Sequence, residues 1–258
     1  MLFVLAALAS TSEGLRFSFE RANSASPQTL YLKGEINVGD TRRMIAFLRE
    51  HPAAFIEHGG DAVLAIDGGD VLEAIEMGQL FRDAMIALQL TDRGRARCVS
   101  ACFFIYANAV SRIATEGTVG IHRPHIDSAS LARSTPAQVR ERYAALFSDT
   151  AKQLEALPVP RDVIENLLRT APNETYWLSR EELERIGELA PWFDDFSAAK
   201  CGTGPALSIR LRKAEAAGYE LDAAALREEL ARARDCVDAL RKQQRQKFVD
   251  DWARAIKP

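Results

Sequence analysis

Residues 62–70 read Ala-Val-Leu-Ala-Ile-Asp-Gly-Gly-Asp, a continuous apolar run stopped by two glycines between two aspartates. A short apolar run bounded by turn formers reads as a buried strand. Asp67-Gly68-Gly69-Asp70 breaks it. From Val71 to about Met85 the apolar positions recur at helical spacing. Leu72, Ile75, Leu80, Phe81 and Met85 form the stripe, with Glu73 and Glu76 on the wet face. Upstream, Leu30–Ile36 alternates and reads as a strand, after which Asp40 caps a helix to about Glu50. Downstream, a strand is expected near Ala87–Thr91, and Arg95–Cys98 leads into a compact apolar segment, Val99–Ala107. Two extended stretches, Arg112–Thr115 and Thr118–His122, flank Gly117. Such strand–helix alternation predicts an α/β sheet with right-handed crossovers.

Helices dominate the remainder. Pro136–Leu157 is amphipathic with an Arg/Glu face and ends at Pro158 and Pro160. Arg161–Arg169 forms another helix, and Glu181–Ile186 a short one after a Ser179 cap. Beyond Lys200 the composition shifts to Ala, Arg, Glu, Lys and Gln, and Gly218 divides Leu207–Lys257 into two helices. The expected organisation is an apolar N-terminus or signal peptide over residues 1–14, one domain over 15–197, and a helical appendage over 198–258. A length of 258 residues suits one full domain with a small addition.

Composition narrows the class. With 47% hydrophobic and 27% charged residues the chain is neither largely disordered nor a polytopic membrane protein. A net charge of −3 argues against a nucleic-acid surface, which needs a concentrated basic face. Leu2–Ala9 is too short to span a membrane. It fits the core of a secretory signal peptide, with a small-residue site at Ala7-Leu8-Ala9, although the basic residues that usually precede such a core are missing. The expected location is periplasmic or secreted, and cytoplasmic if that run is not a signal. Cys98, Cys102, Cys201 and Cys236 are even in number and allow three disulfide connectivities. By position they group as 98 with 102 and 201 with 236, and in a cytosolic protein they would be small buried apolar residues. The Cys-x3-Cys pair has no second metal-spaced pair, which argues against a zinc site.

Three separated signals carry the chemistry. Gly68-Gly69 lies between strand and helix, where backbone N–H groups can face an anion, although most such pairs are only turns. Ser100 sits in Cys98-Val99-Ser100-Ala101-Cys102, at the mouth of an apolar helix, where an ordinary N-cap is the plainer reading. His122 closes a strand in Gly120-Ile121-His122-Arg123-Pro124, and a lone histidine is more often structural.

Taken in order, the three are more specific. Ile66-Asp67-Gly68-Gly69, then Ser100-Ala101, then Ile121-His122-Arg123-Pro124 resemble the Clp-type proteolytic subunit family within the Clp/crotonase superfamily. The resemblance covers roughly Leu30–Leu189, and the cysteine frame around Ser100 looks like an exported bacterial branch of that superfamily. It implies a spiral of strand–helix repeats. It also implies acyl transfer, with Ser100 as nucleophile, His122 as base, the N–H groups of Gly69 and Ala101 as oxyanion donors, and Gly68 shaping the loop. A peptide or protein substrate follows, with no cofactor and no metal.

At the family's acid the chain departs. Tyr176-Trp177-Leu178-Ser179 matches the segment after it, so the acid position falls on Thr175. Thr175 can orient the imidazole but cannot stabilise the imidazolium as a carboxylate would; Asn173 or Glu174 could substitute. A bridge between Cys98 and Cys102 would bracket the nucleophile, either stiffening its turn or merely stapling the fold. Clp-type subunits stack into rings fed by an ATP-driven unfoldase. An exported chain would lack that partner, while self-association through Pro136–Leu157 stays open. The competing readings are an inactive binding or assembly module and an acyl-CoA enzyme of the crotonase type, against which Ser100 with His122 counts.

Overall fold

The computed structural model describes residues 14–21, 28–91, 94, 96–126, 131–202 and 205–255. The apolar run Leu2–Ala9 lies outside them. Among the described residues one mixed sheet has eight strands: β1 (Arg16–Arg21), β2 (Gln28–Ile36), β3 (Asp61–Gly69), β4 (Ala87–Leu90), β5 (Arg97–Val99), β6 (Arg112–Ala114), β7 (Val119–Ile121) and β8 (Tyr176–Trp177). The helices are α1 (Asp40–Glu50), α2 (Pro52–His58), α3 (Val71–Asp83), α4 (Cys102–Asn108), α5 (Pro136–Ala156), α6 (Arg161–Arg169), α7 (Arg180–Ile186), α8 (Pro191–Cys201), α9 (Pro205–Ala216) and α10 (Glu220–Ala255).

β3 organises the sheet. It runs parallel to β2 along one edge, and its other edge is shared: Asp61 and Ala62 pair with β4, Ala65 and Ile66 with β5. The sheet therefore forks into one wing of β4 and β6 and another of β5, β7 and β8. The inward positions Ala62, Leu64 and Ile66 are fully buried, and every residue of α4 is buried against this core. The α/β expectation holds at this level: a central sheet, flanking helices and a long C-terminal helix.

Several local expectations change. Gly68 and Gly69 do not break β3 but complete it, because Gly69 still pairs with Ile36 across the ladder. Asp40 is the first residue of α1 and Gly39 the cap; the buried Asp40 carboxylate accepts from the N–H groups of Leu15 (3.0 Å) and Asn37 (2.8 Å). Glu73 is buried rather than wet, while Leu72 is half exposed on the wall of an open cavity. The stretches 112–115 and 118–122 form no hairpin, since β6 joins β4 and β7 joins β5. β1 and α8 were not expected. α8 crosses the boundary anticipated at residues 197–198.

Helix α10 is not a free appendage. Arg241 donates to the Met85 carbonyl (3.1 Å) and to the Gly60 carbonyl, and Arg245 donates to the Ile56 carbonyl (3.0 Å). These guanidiniums sit at the C-terminal ends of α2 and α3, where cations are favoured. Trp252 stacks on Phe55, their centroids 5.8 Å apart. The disulfides pair Cys98 with Cys102 and Cys201 with Cys236, with Cα separations of 5.2 and 5.6 Å. Such bonds fit an extracellular or periplasmic location. Among the described residues no helix is long and apolar enough to cross a membrane.

Glu73 joins α3 to the start of α1 by accepting from Gly39 N–H (2.8 Å) and Thr41 N–H (2.6 Å). Burial pushes its carboxyl up, but those donors outweigh it and hold the group below the ordinary 4.5. A depressed carboxyl contributes its stability above the unfolded value and loses it as pH falls through the lower folded value. Glu73→Gln is therefore expected to cost about 2 kcal/mol at pH 7. In urea titrations its deficit against wild type should shrink once the pH drops below 4.5.

Candidate active site

The site lies where β3, β5 and β7 end together. β5 is clamped between β3 and β7, with Cys98 opposite both Ile66 and Val119. The chain then turns into α4 through Ser100, whose φ of 58° is left-handed. Outside glycine this conformation is uncommon and costs about 1–2 kcal/mol. The turn is held by Ser100 N–H donating to the Gly120 carbonyl (2.9 Å) and by Phe103 N–H donating to the Ser100 carbonyl (2.9 Å). Among the described residues the Ala101 N–H has no backbone partner.

Gly68 and Gly69 have φ values of 124° and 128°. A Cβ on Gly68 would lie 2.9 Å from the Ser100 Cβ, and one on Gly69 would lie 2.1 Å from the Ile36 carbonyl oxygen. Both positions are thus closed to side chains, the first by the serine itself. Asp70 ends the segment as the cap of α3, accepting from Glu73 N–H (2.9 Å). Asp67 pairs with Arg97 at 2.5 Å, both half exposed, so the pair contributes little.

β7 delivers His122. Its ring Nδ1 lies 3.0 Å from the Arg123 carbonyl oxygen, which makes Nδ1 the protonated nitrogen and leaves Nε2 as the acceptor. The β7–β8 register pairs Gly120 with Trp177 and Ile121 with Tyr176, so its continuation sets Thr175 opposite His122. The Thr175 methyl lies over Gly120, 2.6 Å from where a Cβ would stand. No hydrogen bond joins Thr175 to the imidazole, and Asn173 and Glu174 are exposed. The hydrogen bond to the imidazole expected of Thr175 is made by the Arg123 carbonyl instead.

Ser100, His122 and Gly69 line one open cavity of about 650 Å³. Ser100 and His122 share this space without a hydrogen bond between them. Catalytic hydrogen bonds are often long in unliganded proteins and tighten with substrate. His125 also faces the cavity, its ring 5.7 Å from that of His122, and α5 adds Arg142, Leu146 and Asp149. Sequence reasoning missed these four. Only His125, one residue beyond Pro124, carried a local signal.

A second buried polar centre is structural. Arg112 is 1% exposed and donates to the carbonyls of Ala107 (2.6 Å), Ile186 (3.0 Å) and Gly187 (3.1 Å). It closes the C-terminal ends of α4 and α7. Burial lowers its pKa and pushes the neighbouring Tyr106 phenol up to about 12.

No protein-family model and no curated protein matches the chain. Among solved structures it is similar to a serine-to-alanine mutant of the membrane-bound stomatin-specific protease 1510-N, at 16% identity and a TM-score of 0.37. The match covers 67% of this chain and 83% of that one.

Gly69→Ala forces a methyl into the backbone of Ile36. It is expected to destabilise the fold by more than about 2 kcal/mol in urea unfolding, with the loss centred on the β2–β3 ladder in hydrogen exchange.

Proposed function

We propose that the chain is a serine hydrolase of peptidase type, with Ser100 as nucleophile and His122 as base, on a Clp/crotonase-like domain over residues 15–197. The observation that carries this reading is the left-handed strand-to-helix turn at Ser100, facing the same cavity as His122 and Gly69. A nucleophilic serine needs an exposed hydroxyl, a base and nearby amides, and a strained turn of this kind supplies the first.

The reaction follows from those parts. Ser100 Oγ attacks the carbonyl carbon while His122 Nε2 takes its proton. The carbonyl π pair moves to oxygen, and the N–H groups of Gly69 and Ala101 receive the oxyanion. One such donor is typically worth about 3–4 kcal/mol of barrier. Collapse breaks the C–N bond, and the imidazolium returns the proton to the leaving amine. Water then attacks the acyl-enzyme by the same route and frees Ser100. The Arg123 carbonyl keeps the ring's tautomer through Nδ1, the role the resemblance gave to Thr175. A carbonyl carries no charge and stabilises the imidazolium less than a carboxylate would, so a modest rate is expected. No cofactor enters the scheme. The two disulfides support an exported protein, for which an ATP-driven unfoldase is not a partner.

The second reading is a binding or assembly module that keeps the fold without turnover. What favours it is that, among the described residues, His122 Nδ1 meets the Arg123 carbonyl rather than a carboxylate. Reaction with a fluorophosphonate probe decides between them. Wild type is expected to label at Ser100. Ser100→Ala should not label, His122→Ala should label at least about a hundredfold more slowly, and Thr175→Ala should stay near the wild-type rate. Folded wild type that never labels is a module.

A further inference from the structure

We propose that Cys98 and Cys102 are positioning residues for Ser100, their disulfide holding the serine in the left-handed conformation that presents its side chain to the cavity. The inference rests on the hydrolase reading and adds to it the condition under which the site is built.

The bond ties together two points already anchored in the core. Cys98 lies in β5 between β3 and β7, and its N–H donates to the Thr118 carbonyl (2.8 Å). Cys102 opens α4, in which every residue is buried. Their Cα atoms are 5.2 Å apart. Five residues in strand geometry would span about 13 Å, so a sharp turn must fall between them. Val99 still belongs to β5 and Ala101 is already in the right-handed region. The turn therefore falls on Ser100, a residue without the freedom of glycine. On the remaining side Gly68 leaves room for the serine, since a Cβ there would lie 2.9 Å from the Ser100 Cβ.

General stabilisation is a poor account of this bridge. A disulfide acts mainly by restricting the unfolded chain, and more so the longer the loop it closes. The Cys98–Cys102 bond closes a separation of 4, against 35 for Cys201–Cys236. Both Cys98 and Cys102 are fully buried, out of reach of reductants in solution, which makes the bond a fixed device rather than a switch.

The test compares two double variants of the full chain, each checked for folding by circular dichroism. Cys98→Ala/Cys102→Ala is expected to label with fluorophosphonate at least about tenfold more slowly than wild type, the factor that about 1.4 kcal/mol gives. Cys201→Ala/Cys236→Ala should label at the wild-type rate while its Tm falls. Hydrogen exchange read over residues 97–104 should quicken at least about tenfold in the first variant only. If the first pair of alanines prevents folding, Cys98→Val/Cys102→Ala refills the apolar space and is measured instead. Wild-type labelling and unchanged exchange in a folded variant lacking the Cys98–Cys102 bond would overturn the proposal. A wild type that does not label removes the hydrolase reading instead, and the exchange measurement then still decides whether the bond holds the turn.

Discussion

Two residues join β5 to α4; Ala101 is already right-handed, so the reversal from extended to helical falls on Ser100 at a φ of 58°. Such a conformation persists only where its surroundings over-determine it. Here β7 supplies the Gly120 carbonyl, α4 returns the Phe103 N–H, the disulfide joins the two flanks, and Gly68 leaves room for the serine Cβ. The fork in the sheet follows from the same requirement. β5 can pair with the upper half of β3 only because β4 stops at the lower half, so the wing bearing the serine and histidine departs from the wing bearing β6. Topology and site are one constraint seen at two scales.

Residues whose role depends on their own side chain were legible in the sequence, and residues whose role depends on a distant backbone were not. The helix over Arg161–Arg169 and the Ser179 cap follow from local periodicity and capping chemistry, and both hold. Glu73 looked wet because a helical pattern cannot show that the N-terminus of α1 arrives over it with two free N–H groups. The glycines at 68 and 69 looked like a strand break because their second meaning, a ladder to Ile36 beside a serine, needs β2 and β5 in place. The stretches around Gly117 carry closeness in sequence as their only pairing cue, and they do not pair with each other. Their true partners are set by the fork.

The group behind His122 shows the same limit within the site. Among side chains the sequence leads to Thr175, and extending the β7–β8 register by one residue would set its backbone opposite His122. The hydrogen bond nevertheless goes to the carbonyl of Arg123, a group every residue possesses and no motif can mark. The consequence is chemical. A carbonyl selects the Nδ1–H tautomer as well as a carboxylate does, yet contributes no charge when the ring is protonated. In the proposed hydrolase such a group would keep the ring's orientation and give up part of the electrostatic stabilisation.

The C-terminal helix bears on that site from the opposite end of β3. Asp61 begins the strand directly after Gly60, whose carbonyl accepts from Arg241, and Arg245 holds the Ile56 carbonyl one turn earlier. Both guanidiniums are buried, and their removal would strip carbonyl oxygens of charged donors at the point where β3 starts. The strand that ends in Gly68 and Gly69 is thus anchored at its origin by residues 180 positions further along the chain. Helix α10 belongs to the mechanical frame of the cavity, even though none of its residues lines it.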